Sequence, residues 1–299
     1  MNGQSLVPAL VILFSTAFAA GCGSDESSSS TEGASGSSSG GGATMHVMLR
    51  FEARVGDQAF DCTATYPGLG TASTEVTISD FRLYVHDVRL HQAGGGDVAV
   101  ELNQDGMWQY QNVALLDFEN KAGACNNGTT ETNTMVHGMV PEGTYDGVSF
   151  KLGVPFDLDH GDVAAAPSPL NQSGLYWGWN AGYKFLRVDS TPTAGGDSFN
   201  LHVGSTGCMG DFAMGGVTSC SMPNVAEVNL TGYDPDAGKI VADYAALVAG
   251  NDLTVNLSGM PGCLSAMDDM DCGPPFQRLG IDITDGSIHP EMQEFFTVE

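Results

Sequence analysis

The residues best placed to do chemistry are aromatic rings and imidazoles. Two of the three tryptophans stand two residues apart in Leu175-Tyr176-Trp177-Gly178-Trp179-Asn180-Ala181-Gly182-Tyr183-Lys184-Phe185. In extended backbone this spacing puts both indoles on one face, with Tyr183 and Phe185 further along it. A stripe of this kind is usually core, but it is also an oxidisable or stacking surface. Three histidines accompany it: His86 inside a candidate strand, His160 closing a loop and His202 opening a strand. Imidazoles drawn from scattered strands suit Cu or Zn, so these three are the candidate metal ligands. Met45 and His46 are outside candidates, since a thioether is a soft Cu(I) ligand. His91, His137 and His289 fit no motif and read as surface residues.

The remaining chemistry is mostly excluded. No G-x-S-x-G elbow, H-E-x-x-H, P-loop or dinucleotide fingerprint occurs, and no nucleophile–base pattern points to a hydrolase or any other enzyme. Ten Lys+Arg against 36 Asp+Glu give a net charge of −26, which excludes a nucleic-acid binder held by phosphate contacts. Acidic clusters at Asp157-Leu158-Asp159-His160 and Met267-Asp268-Asp269-Met270-Asp271 offer oxygen ligands for calcium, though neither has EF-hand spacing.

The elements that must position these groups are short and β-rich. Forty glycines and few lysines favour turns over long helices. Alternating runs predict strands at 45–55, 76–90, 98–102, 147–152, 183–189, 200–203, 227–230, 253–257 and 279–283. One helix is expected over 239–249, with Gly250 as its stop. The expected fold is a mainly antiparallel β-sandwich or barrel-like single domain with long loops, one short helix and disulfides.

The N-terminus reads as an address. Residues 6–20 are apolar and end in Ala19-Ala20-Gly21-Cys22, a short run before small residues and a cysteine that resembles a bacterial lipobox. Residues 1–21 are therefore expected to be a lipoprotein signal peptide, with lipidation at Cys22. A Ser/Gly-rich tether follows over 22–43, and the folded domain spans 44–299. Six cysteines remain, and six allow fifteen connectivities. An even number in an exported chain reads as a disulfide framework. Spacing favours Cys208–Cys220 and Cys263–Cys272 as local staples, with Cys62–Cys125 joining distant elements.

Several runs together resemble one family. They are Asp80-Phe81-Arg82-Leu83-Tyr84-Val85-His86-Asp87-Val88-Arg89-Leu90, Val113-Ala114-Leu115-Leu116-Asp117-Phe118-Glu119 and Gly153-Val154-Pro155-Phe156-Asp157-Leu158-Asp159-His160. Ser168-Pro169-Leu170-Asn171, the segment from Trp177 to Arg187, and His202-Val203-Gly204-Ser205-Thr206-Gly207-Cys208 complete the set. In this order they resemble the MbnP-like proteins, the metallo-mystery-pair four-Cys-motif family. Cys62, Cys125, Cys208 and Cys220 fit the four-Cys pattern, and Cys263 and Cys272 look like an added pair.

The resemblance implies an exported, non-catalytic copper-binding protein that acts in copper acquisition or homeostasis. It also implies a partner, a di-haem MauG-like protein of the cytochrome c peroxidase family, which oxidises one tryptophan to kynurenine. The candidates are Trp179, which we favour at this point, and Trp177. The expected place is the periplasm or outer membrane, by lipid anchor. The alternative is a cell-surface β-sandwich module, calcium-stabilised, that binds a glycan or protein on its paired tryptophans.

Overall fold

The computed structural model describes residues 42–211 and 216–299. The expected signal peptide, Cys22 and almost all of the tether lie outside the described residues. The strands that matter here are β1 (Thr44–Val55), β2 (Thr74–Gln92), β3 (Val113–Asp117), β4 (Met135–Pro141), β5 (Tyr145–Leu152), β6 (Tyr176–Gly178) and β7 (Gly182–Tyr183). They continue with β8 (Leu186–Pro192), β9 (Phe199–Val203), β10 (Thr206–Asp211), β11 (Gly216–Met222), β12 (Ala226–Thr231), β13 (Ile240–Asp243) and β14 (Phe296–Val298).

Alternating apolar residues make the first sheet, β14-β13-β1-β4, with Glu101–Leu102 on its edge. β1 buries Val47, Leu49, Phe51, Ala53 and Val55 and turns the residues between them outward. The second sheet runs β12-β5-β2-β8-β9 and ends on Gly262–Cys263, with β3 also paired to β2. One apolar core lies between the two sheets. Phe150 of β5 meets Phe51 of β1 edge-on at 5.6 Å and Phe296 of β14 at 4.9 Å, which ties the layers together. The sandwich is antiparallel as expected, except that β13 runs parallel to β1 and Gly262–Cys263 parallel to β9.

β2 changes face twice. Val76 and Ile78 point into the main core, then Phe81, Leu83 and Val85, then Val88 and Leu90. The first change is a bulge at Ser79, opposite the Asp189–Ser190 step of β8. The second is a bulge at Asp87, whose φ of 51° breaks the pleat. Between them Arg82, Tyr84 and His86 are turned to the sheet's other face. That face is covered too: Tyr84, Leu115, Leu170, Leu175, Tyr183 and Phe185 form part of a second apolar cluster there.

Several sequence expectations are corrected. The helix over 239–249 is half strand: Ile240–Asp243 pairs with β1, and only Tyr244–Val248 is helical. The β-branched pair Ile240-Val241 satisfies its backbone in the sheet, and Asp243 caps the helix by accepting from Ala245 N at 2.9 Å. Three short α-helices occur among the described residues rather than one: α1 (Phe156–Asp159), α2 (Tyr244–Val248) and α3 (Gly273–Arg278). Residues 253–257 and 279–283 are not strands. Thr254 N and Leu257 N bond to the Asp252 and Asp271 carboxylates, and Leu279 N closes the end of α3 on Pro275 O. Residues 98–102 split, with Asp97–Ala99 joining β2 and Glu101–Leu102 joining β4.

The disulfides are Cys62–Cys125, Cys208–Cys220 and Cys263–Cys272. The second staples β10 to β11, and the third lies within the main core. Cys62–Cys125 spans 63 residues and fastens the loop after β1 to the loop after β3. Closing so long a loop restricts the unfolded chain most. Replacing both Cys62 and Cys125 by Ala is expected to cost about 2–4 kcal/mol in denaturant unfolding, with native-like circular dichroism retained.

Candidate functional site

The paired tryptophans lie on a hairpin, β6–β7, rather than on one continuous strand. Trp177 is in β6 and half-buried, whereas Trp179 falls in the turn and is 42% exposed. The two tryptophans therefore do not lie on one continuous strand as simple alternation implies. Tyr183 and Phe185 are fully buried core residues.

The hairpin reaches two of the three candidate histidines. The indole of Trp177 lies 6.2 Å from the His202 ring, centroid to centroid, and Lys184 Nζ sits 5.9 Å over it. Gly204 makes room, since a Cβ there would fall 2.5 Å from Trp177 Cζ3. At the turn, His160 Nδ1 donates to Trp179 O at 3.1 Å. His86 stands in a neighbouring cleft of about 320 Å³, lined also by Val154, Phe156, Pro223 and Asn224. The Phe156 ring packs edge-on against His160 at 5.2 Å.

Each of the three imidazoles is oriented through one ring nitrogen. His86 Nδ1 donates to Gly153 O at 2.8 Å, His160 Nδ1 to Trp179 O, and His202 Nε2 to Asp189 Oδ1 at 2.6 Å. His86 and His202 thus commit the N–H and keep a lone pair on the other nitrogen, the arrangement usual for metal-bound histidine. His160 Nε2, by contrast, also lies 3.4 Å from Asp159 Oδ2 and 3.4 Å from Cys220 Sγ. Burial holds the pKa of each below its ordinary 6.5, so the neutral, ligating form prevails at pH 7. His86, His160 and His202 do not close into a single three-residue cluster. Among the described residues the one such group of His, Cys, Asp or Glu is His160 with Cys208 and Cys220. Those sulfurs are bonded to each other and offer no thiolate.

A chain of charges fixes His202. Across the covered face of the second sheet, Asp117, Arg82, Arg187 and His202 stand in register on β3, β2, β8 and β9. Arg82 makes two bonds to Asp80, at 2.8 and 2.5 Å. Arg187 Nε reaches Asp80 Oδ2 at 3.2 Å, and its Nη2 donates to Asp189 Oδ2 at 2.5 Å. Arg187 Nη1 and Lys184 Nζ both bond Gly174 O, just ahead of β6. One network therefore orients His202 and holds the start of the tryptophan hairpin. Burial pushes Asp117 up to about 8, which keeps a further negative charge out of the row at pH 7.

The acidic loops spend their carboxylates internally. Asp159 is buried and accepts from Tyr183 N at 2.7 Å and Ser205 Oγ at 3.0 Å, so it anchors the hairpin. Gly182 permits this at φ +73°, because any Cβ there would lie 2.2 Å from Asp159 Oδ1. Asp269 accepts from Leu264 N and Asp271 N, and Asp271 from Leu257 N. Sequence reading picked out His202 and missed Asp189, whose alternation with Arg187 along one strand was the available signal.

A family model, MbnP, matches residues 44–265. Among solved structures, the chain is similar to MbnP from Methylosinus trichosporium. The two are 32% identical with a TM-score of 0.79, over 86% of this chain and 98% of that one. No curated protein matches the chain.

The His202–Asp189 pair makes a pH-dependent prediction. Burial alone would raise Asp189, but the bond and charge of His202, with Arg187, outweigh it and hold the carboxyl at about 2, against its ordinary 3.8. A depressed carboxyl stabilises the fold fully above about pH 4 and loses that contribution as the pH falls through 2. The three histidines act in the same direction from about pH 6.5 downward, because the unfolded chain binds more protons. Asp189→Asn is expected to cost about 2 kcal/mol at pH 7 and little near pH 2, read by urea unfolding at both.

Proposed function

The chain belongs to the MbnP family, and from that premise we propose that it is an exported copper-binding protein rather than an enzyme. Its copper would be held by imidazoles and by a kynurenine made from tryptophan, in the service of copper acquisition or homeostasis. The carrying observation is the contact between Trp177 and His202. An indole has no lone pair to give a metal, whereas kynurenine offers an aniline nitrogen and a ketone oxygen. At Trp177 those atoms would be formed beside the His202 ring, whose Nδ1 is left free by the bond to Asp189. Trp179 stands in the exposed turn, where its backbone carbonyl accepts from His160 Nδ1. Position thus favours Trp177, the second of the two sequence candidates.

The oxidation needs an outside oxidant, and the partner we propose is the di-haem MauG-like protein. Two equivalents of hydrogen peroxide, reduced to water, oxidise the indole across C2–C3 to N-formylkynurenine, and hydrolysis releases formate to leave kynurenine. The chain's −26 charge would draw a basic partner face or cations toward it. Export by the N-terminal signal and acylation at Cys22 would place the domain in the periplasm or at the outer membrane. No helix among the described residues is long and apolar enough to cross a membrane.

Peptide mass spectrometry of protein taken from cells that make the di-haem partner tests this. The Trp177 peptide is expected to gain about 4 Da, the tryptophan-to-kynurenine difference, with copper in the same fraction. Trp179→Phe is expected to keep the shift and Trp177→Phe to abolish it. His202→Gln is expected to weaken copper binding by roughly 10–100-fold or more. An unmodified Trp177 peptide from copper-replete cells would overturn the reading in favour of a surface module that stacks ligands on Trp179.

A further inference from the structure

The outward face of β1 and β4 carries a second set of metal donors, remote in sequence from the tryptophan hairpin. The register pairs His46 with Met139 and Met48 with His137. Because alternate residues share a face, the four side chains form a checkerboard, each histidine flanked by both methionines. Their exposure agrees: His46 is exposed and the other three partly so, while Val47 and Gly138 between them are buried. Met45, by contrast, packs against the core and leaves this set.

The two imidazoles meet on the diagonal, with ring centroids 5.7 Å apart and planes tilted by 38°. Metal–nitrogen bonds of about 2.0–2.1 Å place two rings on one ion with centroids roughly 5–6 Å apart, so little movement is required. The Asn103 side chain holds His46 Nε2 at 3.3 Å. Its Nδ2 donates to that nitrogen, the contact a metal on Nε2 would replace. Opposite Met139 stands the exposed Glu101, while the nearest cation on β1, Arg50, is turned away to Asp236 O. The surroundings therefore favour a cation.

We propose that His46, Met48, His137 and Met139 form a surface site for a soft monovalent metal ion, Cu(I), distinct from the site at Trp177 and His202. Two thioethers with two imidazoles select cuprous over hard or borderline ions. An exposed site of flexible thioethers suits rapid loading and release, so it would serve as a point of entry or transfer.

The test uses the full chain, made without an oxidising partner, and anaerobic Cu(I) titrated against a chromogenic cuprous chelator. Wild type is expected to bind one more equivalent than His46→Gln/His137→Gln, whereas His202→Gln retains that equivalent. Met48→Leu/Met139→Leu keeps the apolar packing. It is expected to leave the melting temperature unchanged, weaken the site at least tenfold and remove copper–sulfur scattering in X-ray absorption. Equal stoichiometry in wild type and the double histidine variant would overturn the proposal, as would unchanged affinity in the double methionine variant. Both outcomes are independent of whether Trp177 is oxidised.

Discussion

The buried charge on the covered face of β2 is the constraint on which the site depends. A sheet closed on both faces ordinarily carries apolar residues on both, yet here Asp80, Arg82, Arg187 and Asp189 lie under the loops. Buried charges persist only when each is paired and its remaining donors and acceptors are used. The arginines are shared in sequence along the row, Arg82 on Asp80, Arg187 on Asp80 and Asp189, and Asp189 on His202. Removing one member strands its neighbours, so His202 keeps its orientation because the whole row must stay satisfied. The same row bonds Gly174 O and so sets where the tryptophan hairpin begins.

The loops that cover this face are fastened by carboxylates rather than by secondary structure. Asp159 grips Tyr183 N and Ser205 Oγ, which brings the loop carrying His160 against both the hairpin and the end of β9. Tyr84 and Tyr183, edge to face at 5.7 Å, send their hydroxyls to Pro169 O and Leu170 O, so the second apolar cluster is satisfied in its polar atoms as well. Trp177, half-buried, stands on the hairpin that the Asp159 bond to Tyr183 N holds in place. The proposed modification by another protein would need such partial access.

The first sheet supports a different kind of surface. Its outward face is solvated, so donors there are tied down by few contacts beyond their strand positions and the Asn103 bond. A covered, charge-braced site and an open, thioether-rich one on the same molecule would differ in how fast they exchange a metal. Burial and bracing slow release, and exposure of flexible methionines speeds it.

Much of the architecture was legible from local pattern. Alternation located β1, β2, β5 and β9, cysteine spacing singled out the pairs found, and the family runs marked the tryptophan hairpin and the three histidines. The facing of those residues was not legible, because it depends on two single-residue bulges. An unbroken alternation from Val76 and Ile78 would send Arg82, Tyr84 and His86 into the main core; the bulge at Ser79 turns them out, and the bulge at Asp87 returns Val88 and Leu90 to it. Likewise the glycines that bracket Trp179 turn a nominal strand into a hairpin, with Trp177 on its first arm and Trp179 in its turn. His137 gave no signal, since its partner His46 lies on a strand brought alongside only by tertiary pairing. Sequence by itself determined which side chains can bind metal and which segments are extended. Register, bulges and the pairing of distant strands decided which of them meet, because those are set by closing the core across the whole chain.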